Sequence, residues 1–255
     1  MKILVVTHKN EFLENEIHFP IHVGGIGIDD LSCFRDDTGE NIAEKNRFYN
    51  ELTAQYWIWK NLKSDYLGLC HYRRYFTKNF LTKILFPYIR KADEYLLSSN
   101  CVESLMQKYG IILPYKRNYF IETVESHYAN AHNHSDLQKV REVIKNLYPE
   151  YTEAFEKVMK KRSLHLYNMF IMKEDLFNKY SDWLFEILFK VEESIKFQSY
   201  DAYQQRVFGF LGERLLNVWV IKNNIKIKKL PVANTFITFW PGKIFSFLIR
   251  KVRGV

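Results

Sequence analysis

Four consecutive residues, His71, Tyr72, Arg73 and Arg74, close an apolar run in the stretch DYLGLCHYRRYF at 65 to 76. Tyr66, Leu67, Gly68, Leu69 and Cys70 have the length and continuity of a strand covered on both faces, as at the centre of an α/β sheet. Open α/β sheets bind ligands just beyond the carboxyl ends of such strands. A His and two Arg delivered there suit an anion, and the guanidinium fork matches a phosphate or diphosphate. The competing reading is an Arg pair on a solvated loop. A second apolar run, Ile3 to Val6, also ends in polar groups: Thr7, His8 and Lys9.

Other residue clusters invite chemistry less directly. Asp36, Asp37, Gly39, Asn41 and Asn46 mark a tight turn; they either cap the next helix and satisfy turn amides, or bind sugar hydroxyls or a nucleoside. His127, His132, His134 and Asp136 supply metal-ligand types, but their spacing matches no zinc signature, and a polar loop is the commoner outcome. Asp136 also suits an N-cap. His165 and Asn168 flank the run LYNMFIM, either as hydrogen-bonded core residues or as sugar-binding ones. Asp201, Arg206 and Glu213 fall in one late helical segment, with 206 and 213 on one face. Glu213 is either an ion-pair partner of Arg206 or Arg214, or a general base in a partly buried pocket. No G-x-x-x-x-G-K-[ST], G-x-G-x-x-G or G-x-S-x-G occurs, so P-loop, Rossmann and α/β-hydrolase readings lose their main support.

The elements that must position these groups follow from periodicity. Phe48, Leu52, Tyr56 and Trp59 predict an amphipathic helix over 44 to 61 that leads into the 65 to 71 strand. A strand is predicted at Ile111 to Leu113, ending at Pro114 with Tyr115, Lys116 and Arg117 at its tip. Helices are predicted at 101 to 109, 136 to 147 and 150 to 161, then at 175 to 195 and 201 to 221, with a strand over Leu166 to Met172. Strands near residues 3, 66, 111 and 168 make one mixed, mostly parallel α/β sheet flanked by helices. This gives a single domain over 1 to 232 and a basic tail over 233 to 255.

The 255 residues suffice for one large core. The net charge of +8 is carried by the end of the chain: Lys222, Lys226, Lys228, Lys229, Lys243, Arg250, Lys251 and Arg253 occur there without an acid. A second acid-free run holds Arg73, Arg74, Lys78, Lys83, Arg90 and Lys91. Both runs interleave aromatic and aliphatic residues, which suits an anionic membrane surface better than nucleic acid. Cys33, Cys70 and Cys101 form no C-x-x-C pair and read as free thiols in a reducing compartment. The first residues meet charge too soon for a signal peptide, and no apolar run is long enough to span a bilayer. The expected location is cytoplasmic, peripheral at the inner face of the membrane.

The run NIAEKNRFYNELTAQYWIWKNLKSDYLGLCHYRRYF resembles a bacterial capsular and exopolysaccharide glycosyltransferase family long catalogued as a domain of unknown function. The resemblance continues in IILPYKRNYFIETVESHY, HSDL, YPEYTEAFEKVM, HLYNMFIMKEDLF and the segment from Arg206 through GERLLNVW, about residues 2 to 232. It implies a GT-A-like fold and transfer of a sugar, galactofuranose or galactose in some relatives, from a UDP-sugar to a lipid-linked glycan. Set beside the reading of the residues themselves, it puts Thr7, His8, Lys9, Asp37, Asn41, Asn46, His71, Arg73, Arg74 and Arg206 at the donor. His132, His165, Asn168 and Asp201 fall to the acceptor or sugar, and Glu213 or Asp136 is the base. Many GT-A enzymes hold the diphosphate through a metal at a D-x-D. Here the matching strand tip reads His71-Tyr72-Arg73, which favours metal-independent neutralisation by cations over Mn²⁺ or Mg²⁺. Metal ligands from Asp29, Asp30, Asp36 and Asp37, or from the His127 to Asp136 loop, are the alternative. A non-catalytic membrane-surface or nucleic-acid binding module is the competing function.

Overall fold

Strand β1 (Lys2–Thr7) shows why the sheet sits in the middle of the molecule: Ile3, Leu4, Val5 and Val6 are all buried, so both of its faces are covered. In the computed structural model, which describes residues 1 to 9, 11 to 25, 33 to 88 and 91 to 235, β2 (His18–His22) and β3 (Phe34–Arg35) extend this strand in parallel on one side. The short helices α1 (Asn46–Tyr49) and α2 (Leu52–Asn61) then cross to β4 (Tyr66–His71), parallel to β1 on its other side. A tight hairpin joins β4 to β5 (Arg74–Phe76).

Helices α3 (Phe80–Leu85) and α4 (Ser99–Met106) lead to β6 (Ile111–Pro114). An outlying ribbon pairs β7 (Arg117–Asn118) with a later strand, after the chain has made α5 (Val124–Ala131), α6 (His134–Leu147) and α7 (Thr152–Met159). That partner is β8 (Ser163–Leu164). Next, β9 (Phe170–Lys173) inserts antiparallel between β4 and β6. Helices α8 (Glu174–Glu192) and α9 (Val207–Lys222) precede β10 (Ile227–Leu230), parallel to β6, and β11 (Val232–Asn234), antiparallel to β5. The strand order is β10, β6, β9, β4, β1, β2, β3, with β5 and β11 forming a side branch from β4.

Alternation along each strand divides the core into two layers. Leu4, Val6, Leu67, Leu69, Phe170 and Met172 pack under α2 and α6 to α9. Ile3, Val5, Cys70, Ile112 and Ile171 pack with α4 and the β5–β11 branch. Gly68 keeps β4 and β9 close, since a Cβ there would stand 3.0 Å from the Phe170 carbonyl oxygen. The mixed, largely parallel sheet flanked by helices agrees with the architecture expected from the sequence. Among the described residues no helix is long and apolar enough to cross a membrane.

Several predicted elements are interrupted, each for a local reason. The helix expected over 44 to 61 breaks at Asn50, whose φ of 51° ends α1 before α2 resumes at Leu52. Asn50 packs closely against α9 there: a Cβ on Gly209 would lie 3.1 Å from its Nδ2. The strand expected over Leu166 to Met172 begins only at Phe170, because Tyr167 (φ 77°) and Asn168 (φ 48°) form a left-handed turn. The helix expected over 150 to 161 opens with a 3₁₀ turn at Pro149–Tyr151, and the late helix expected from 201 starts at Val207 after a 3₁₀ turn at Gln204–Arg206. Helix α6 begins at His134 with Asn133 as N-cap, so Asp136 lies inside its first turn rather than at the cap. Strand β11 extends across residue 232. Residues 236 to 255, nearly all of the basic tail, lie outside the described residues, as do Asp29, Asp30 and Arg90.

Candidate active site

The β4–β5 hairpin sets the first wall of a cleft at the carboxyl end of β4. Because only Tyr72 and Arg73 form the turn, His71 and Arg74 are a cross-strand pair and their side chains share a face. Both line a cleft of about 270 Å³. Arg74 lies over the Tyr167 ring, 4.3 Å from its centroid. Arg73 faces elsewhere, over Tyr72, and is not among the cleft residues. The strand tip therefore sends its two arginines to different places.

The expectation that His71 adds a cation needs correction. Burial, followed by the charges of Arg74 and Arg73, pushes its pKa down to about 3, so the imidazole is neutral near pH 7. It supplies a hydrogen-bonding ring beside the guanidinium groups.

Helix α9 and the left-handed turn before β9 build the opposite wall. Glu213 Oε1 accepts from the Tyr167 amide at 2.7 Å, and its Oε2 lies 3.2 Å from Arg214 Nη1. Arg214 is held by the Phe210 carbonyl at 2.8 Å and by the Tyr128 ring, while its buried Nε has no partner. Arg206, two turns before, donates from Nε to Asn50 Oδ1 at 2.9 Å. His132 stacks on Phe210 at 4.0 Å and contacts Gln204 through Nδ1, and burial lowers its pKa to about 4. Arg117 and Tyr119 enter from the ribbon that holds β7, with Tyr119 stacked on His127 at 4.0 Å.

A second carboxyl, Glu51, was not singled out from the sequence. It follows the break at Asn50, lines the cleft and accepts from Asn168 Nδ2 at 2.7 Å. Desolvation pushes its carboxyl above the usual range, and the charge of Glu213 adds to the rise. The signal in the sequence was Asn50-Glu51 before an apolar run, which is how a new helix starts. Arg117, Tyr119, Tyr167, Tyr203 and Phe210 were also missed as site residues, because the elements that deliver them are irregular or far apart in sequence.

The structure thus brings together His71, Arg74, His127, His132, Arg206 and Glu213 of the residues expected at a site. Asn168 stands directly behind them, bridging Glu51 and the Gly209 carbonyl. It does not bring the others to the cleft. Asp136 is buried on α6 and accepts from the Tyr200 hydroxyl at 2.7 Å. Asp201 caps the turn before α9 through the amides of Tyr203 and Gln204. His165 is buried, its Nδ1 donating to the Pro114 carbonyl.

Thr7, His8 and Lys9 sit at the tip of β1, with Thr7 Oγ1 bonded to the Lys9 carbonyl and His8 edge-on to Tyr72. Asn41 closes its own turn through Gly39 and Ala43. Asp37 pairs with Arg35 at 2.7 Å, and Asn46 donates to the Asn50 carbonyl and to Thr53.

Four arginines and two carboxyls around one cleft can bind a polyanion and move a proton. Among the described residues no group of three or more His, Cys, Asp or Glu is arranged to hold a metal. No curated protein matches the chain significantly. Among solved structures, the apo form of WbbM, a bifunctional glycosyltransferase, superposes with a TM-score of 0.85 at 31% identity, covering 93% of this chain and 45% of that one. The chain therefore spans less than half of WbbM. The likeness gives it a glycosyltransferase fold. Residues 2–224 match one family model, and the chain belongs to that family, described as a domain of unknown function, DUF4422.

Proposed function

We propose that this protein transfers a sugar, galactofuranose or galactose, from a UDP-sugar to a lipid-linked glycan during capsule, exopolysaccharide or O-antigen synthesis. The observation that carries this reading is the pairing, in one cleft, of Arg74, Arg117, Arg206 and Arg214 with Glu213. Guanidinium groups aimed at a diphosphate stabilise the charge that grows on it as the bond to the anomeric carbon breaks. Glu213 accepts the proton of the acceptor hydroxyl while the new glycosidic bond forms, and UDP leaves. The Tyr167 amide and Arg214 fix that carboxylate in position. Tyr203 and Phe210 offer faces on which a sugar ring packs.

In this reading the cleft works without a divalent ion, since four guanidinium groups repel one and both carboxyls are already engaged by protein donors. The protein works at the inner face of the membrane, where a lipid-linked acceptor is presented. A donor screen tests the whole reading: purified protein, a set of UDP-sugars and a synthetic lipid-linked acceptor, with product read by mass. One UDP-sugar is expected to give a product heavier by one hexose, and UDP is expected to raise the melting temperature. No transfer with any donor, together with no thermal shift by UDP, would sink it.

A further inference from the structure

Helix α3 has an unusual surface for a short element fixed to a folded core. None of its residues is buried. Leu81 is 66% exposed and Ile84 65%, and Phe80, Leu85 and the following Tyr88 are exposed with them. A contiguous apolar face of this kind marks a docking surface.

The face is firmly mounted. Asn79 caps the helix by accepting from the Thr82 amide at 2.8 Å, and Phe80 lies against Tyr115. Directly behind, Phe86 is buried and stacks on Tyr75 of β5, while the Thr77 amide donates to the Pro231 carbonyl. Exposed Lys78 and partly exposed Lys83 accompany the apolar side chains, and no acid occurs from Arg73 to Lys91.

We propose that α3 is a membrane-docking face that inserts Phe80, Leu81, Ile84 and Leu85 among the lipids of an anionic bilayer, with Lys78 and Lys83 at the headgroups. Charge complementarity selects this occupant. Aliphatic side chains beside lysines are the composition of an interfacial helix, whereas Leu81, Ile84 and Leu85 offer a nucleic acid nothing to pair or stack with. The chain's own final segment carries Lys243, Arg250, Lys251 and Arg253 without an acid, so laying it on α3 would bring like charges together. A second copy of α3 would do the same.

The position also suits a membrane-held substrate. Arg74 lines the cleft, and Phe80 is six positions further along the chain. At ~3.3 to 3.6 Å per residue, no more than about 22 Å of chain separates the docking face from the cleft wall. Vesicle binding can be read without any turnover, so this inference stands or falls separately from the transferase reading.

The test is co-sedimentation of the full chain with vesicles of phosphatidylcholine alone, or of phosphatidylcholine and phosphatidylglycerol in equal parts. The full chain is expected to bind the anionic vesicles and not the neutral ones. The double substitution Leu81→Asp and Ile84→Asp is expected to weaken that binding by on the order of tenfold or more. It changes only exposed side chains, and an unaltered melting temperature checks that the fold is kept. Lys78→Ser with Lys83→Ser is expected to weaken binding less, with a loss that salt reproduces in the unsubstituted protein. Unchanged vesicle binding by the aspartate variant would overturn the proposal, as it would if the final segment covered α3 and bound lipid itself. A dimer that this variant converts to a monomer, with no vesicle binding by either form, would reassign the face to self-association.

Discussion

Two polar clusters lie at the carboxyl ends of the strands, and they differ in where their hydrogen bonds go. His22 Nε2 is without a partner in the first cluster, but the carboxylate of Asp36 is satisfied by its neighbours. Its oxygens accept from the Gly24 amide at 3.0 Å and from Thr53 Oγ1 at 2.6 Å, Thr53 reaches on to Asn50, and Asp37 is engaged by Arg35. Around Glu213 the residues that line the cleft are less fully satisfied: the buried Arg214 Nε and His127 Nδ1 have no partner, and Arg74 lies against a ring. Buried polar groups left with open valences are costly, so their accumulation in one place points to a ligand. Residue type alone would rank the two clusters equally.

The largest effect that separates them is on turnover. Glu213→Gln keeps an acceptor for the Tyr167 amide and so keeps the turn, but removes the base. We expect kcat to fall by roughly 10² to 10⁴ with UDP affinity little changed. Near-normal turnover would leave Glu213 as a positioning group only, and the comparison would lose its centre.

The arginines come next. Arg74→Ala and Arg206→Ala are each expected to weaken UDP binding by about 1.5 to 3 kcal/mol, the range for a lost charged hydrogen bond. Arg73→Ala, on the other side of the hairpin, should cost less. Calorimetric titration with UDP checks both, and equal losses at Arg73 and Arg74 would show that the donor spans the two sides of the turn.

The Asp36 cluster should answer in stability rather than rate. Burial raises the Asp36 pKa from 3.8 to about 6, so the folded state binds its proton more tightly than the unfolded state. Its contribution is fully present below about pH 3.8 and is lost as pH rises through about 6. Denaturant titrations should show this as a decline on the order of 3 kcal/mol across that window. Asp36→Asn should flatten the decline while leaving kcat within about twofold. A collapse of kcat in a folded Asn variant would mean that this cluster touches substrate.

The smallest expected effect is none. Turnover should survive EDTA, since the cleft meets the diphosphate with guanidinium groups. Loss of turnover in chelator, restored by Mn²⁺ or Mg²⁺, would bring carboxylates outside the cleft into the reaction.

The strands that carry the site were legible because an apolar run flanked by polar residues reports burial directly: Leu4 to Val6 and Leu67 to Cys70 fall inside β1 and β4. The strand-tip arginines were legible for the same reason. Their divergence was not, because a run ending in HYRR does not say that a two-residue turn follows. Glu51 was hidden by periodicity that runs on through Phe48, Leu52, Tyr56 and Trp59 as though the helix did not break. Asp136 looked available because it stands near the start of a helix, and the hydroxyl that covers it comes from Tyr200, 64 positions away. Arg117 and Tyr119 belong to a ribbon whose second strand lies beyond three helices. For Glu51, Asp136, Arg117 and Tyr119 the deciding contact is between residues far apart in the chain, which no local pattern records.

The hairpin between His71 and Arg74 also has a consequence for how such a chain can change in length. Successive side chains of β5 point to opposite sides, with Arg74 at the cleft and Tyr75 fully buried against Leu13 and Phe86. One extra residue between Tyr72 and Arg73 keeps the facing if the loop absorbs it, but if it slips β5 by one place along β4 it moves every side chain of β5 across the sheet. The guanidinium would then point into the apolar layer and the phenol ring into the cleft. Two extra residues would restore the facing and lengthen only the loop. Among natural or designed variants, an odd gain or loss at this turn should therefore survive only where a longer loop or a bulge absorbs it and the His71–Arg74 pairing is kept.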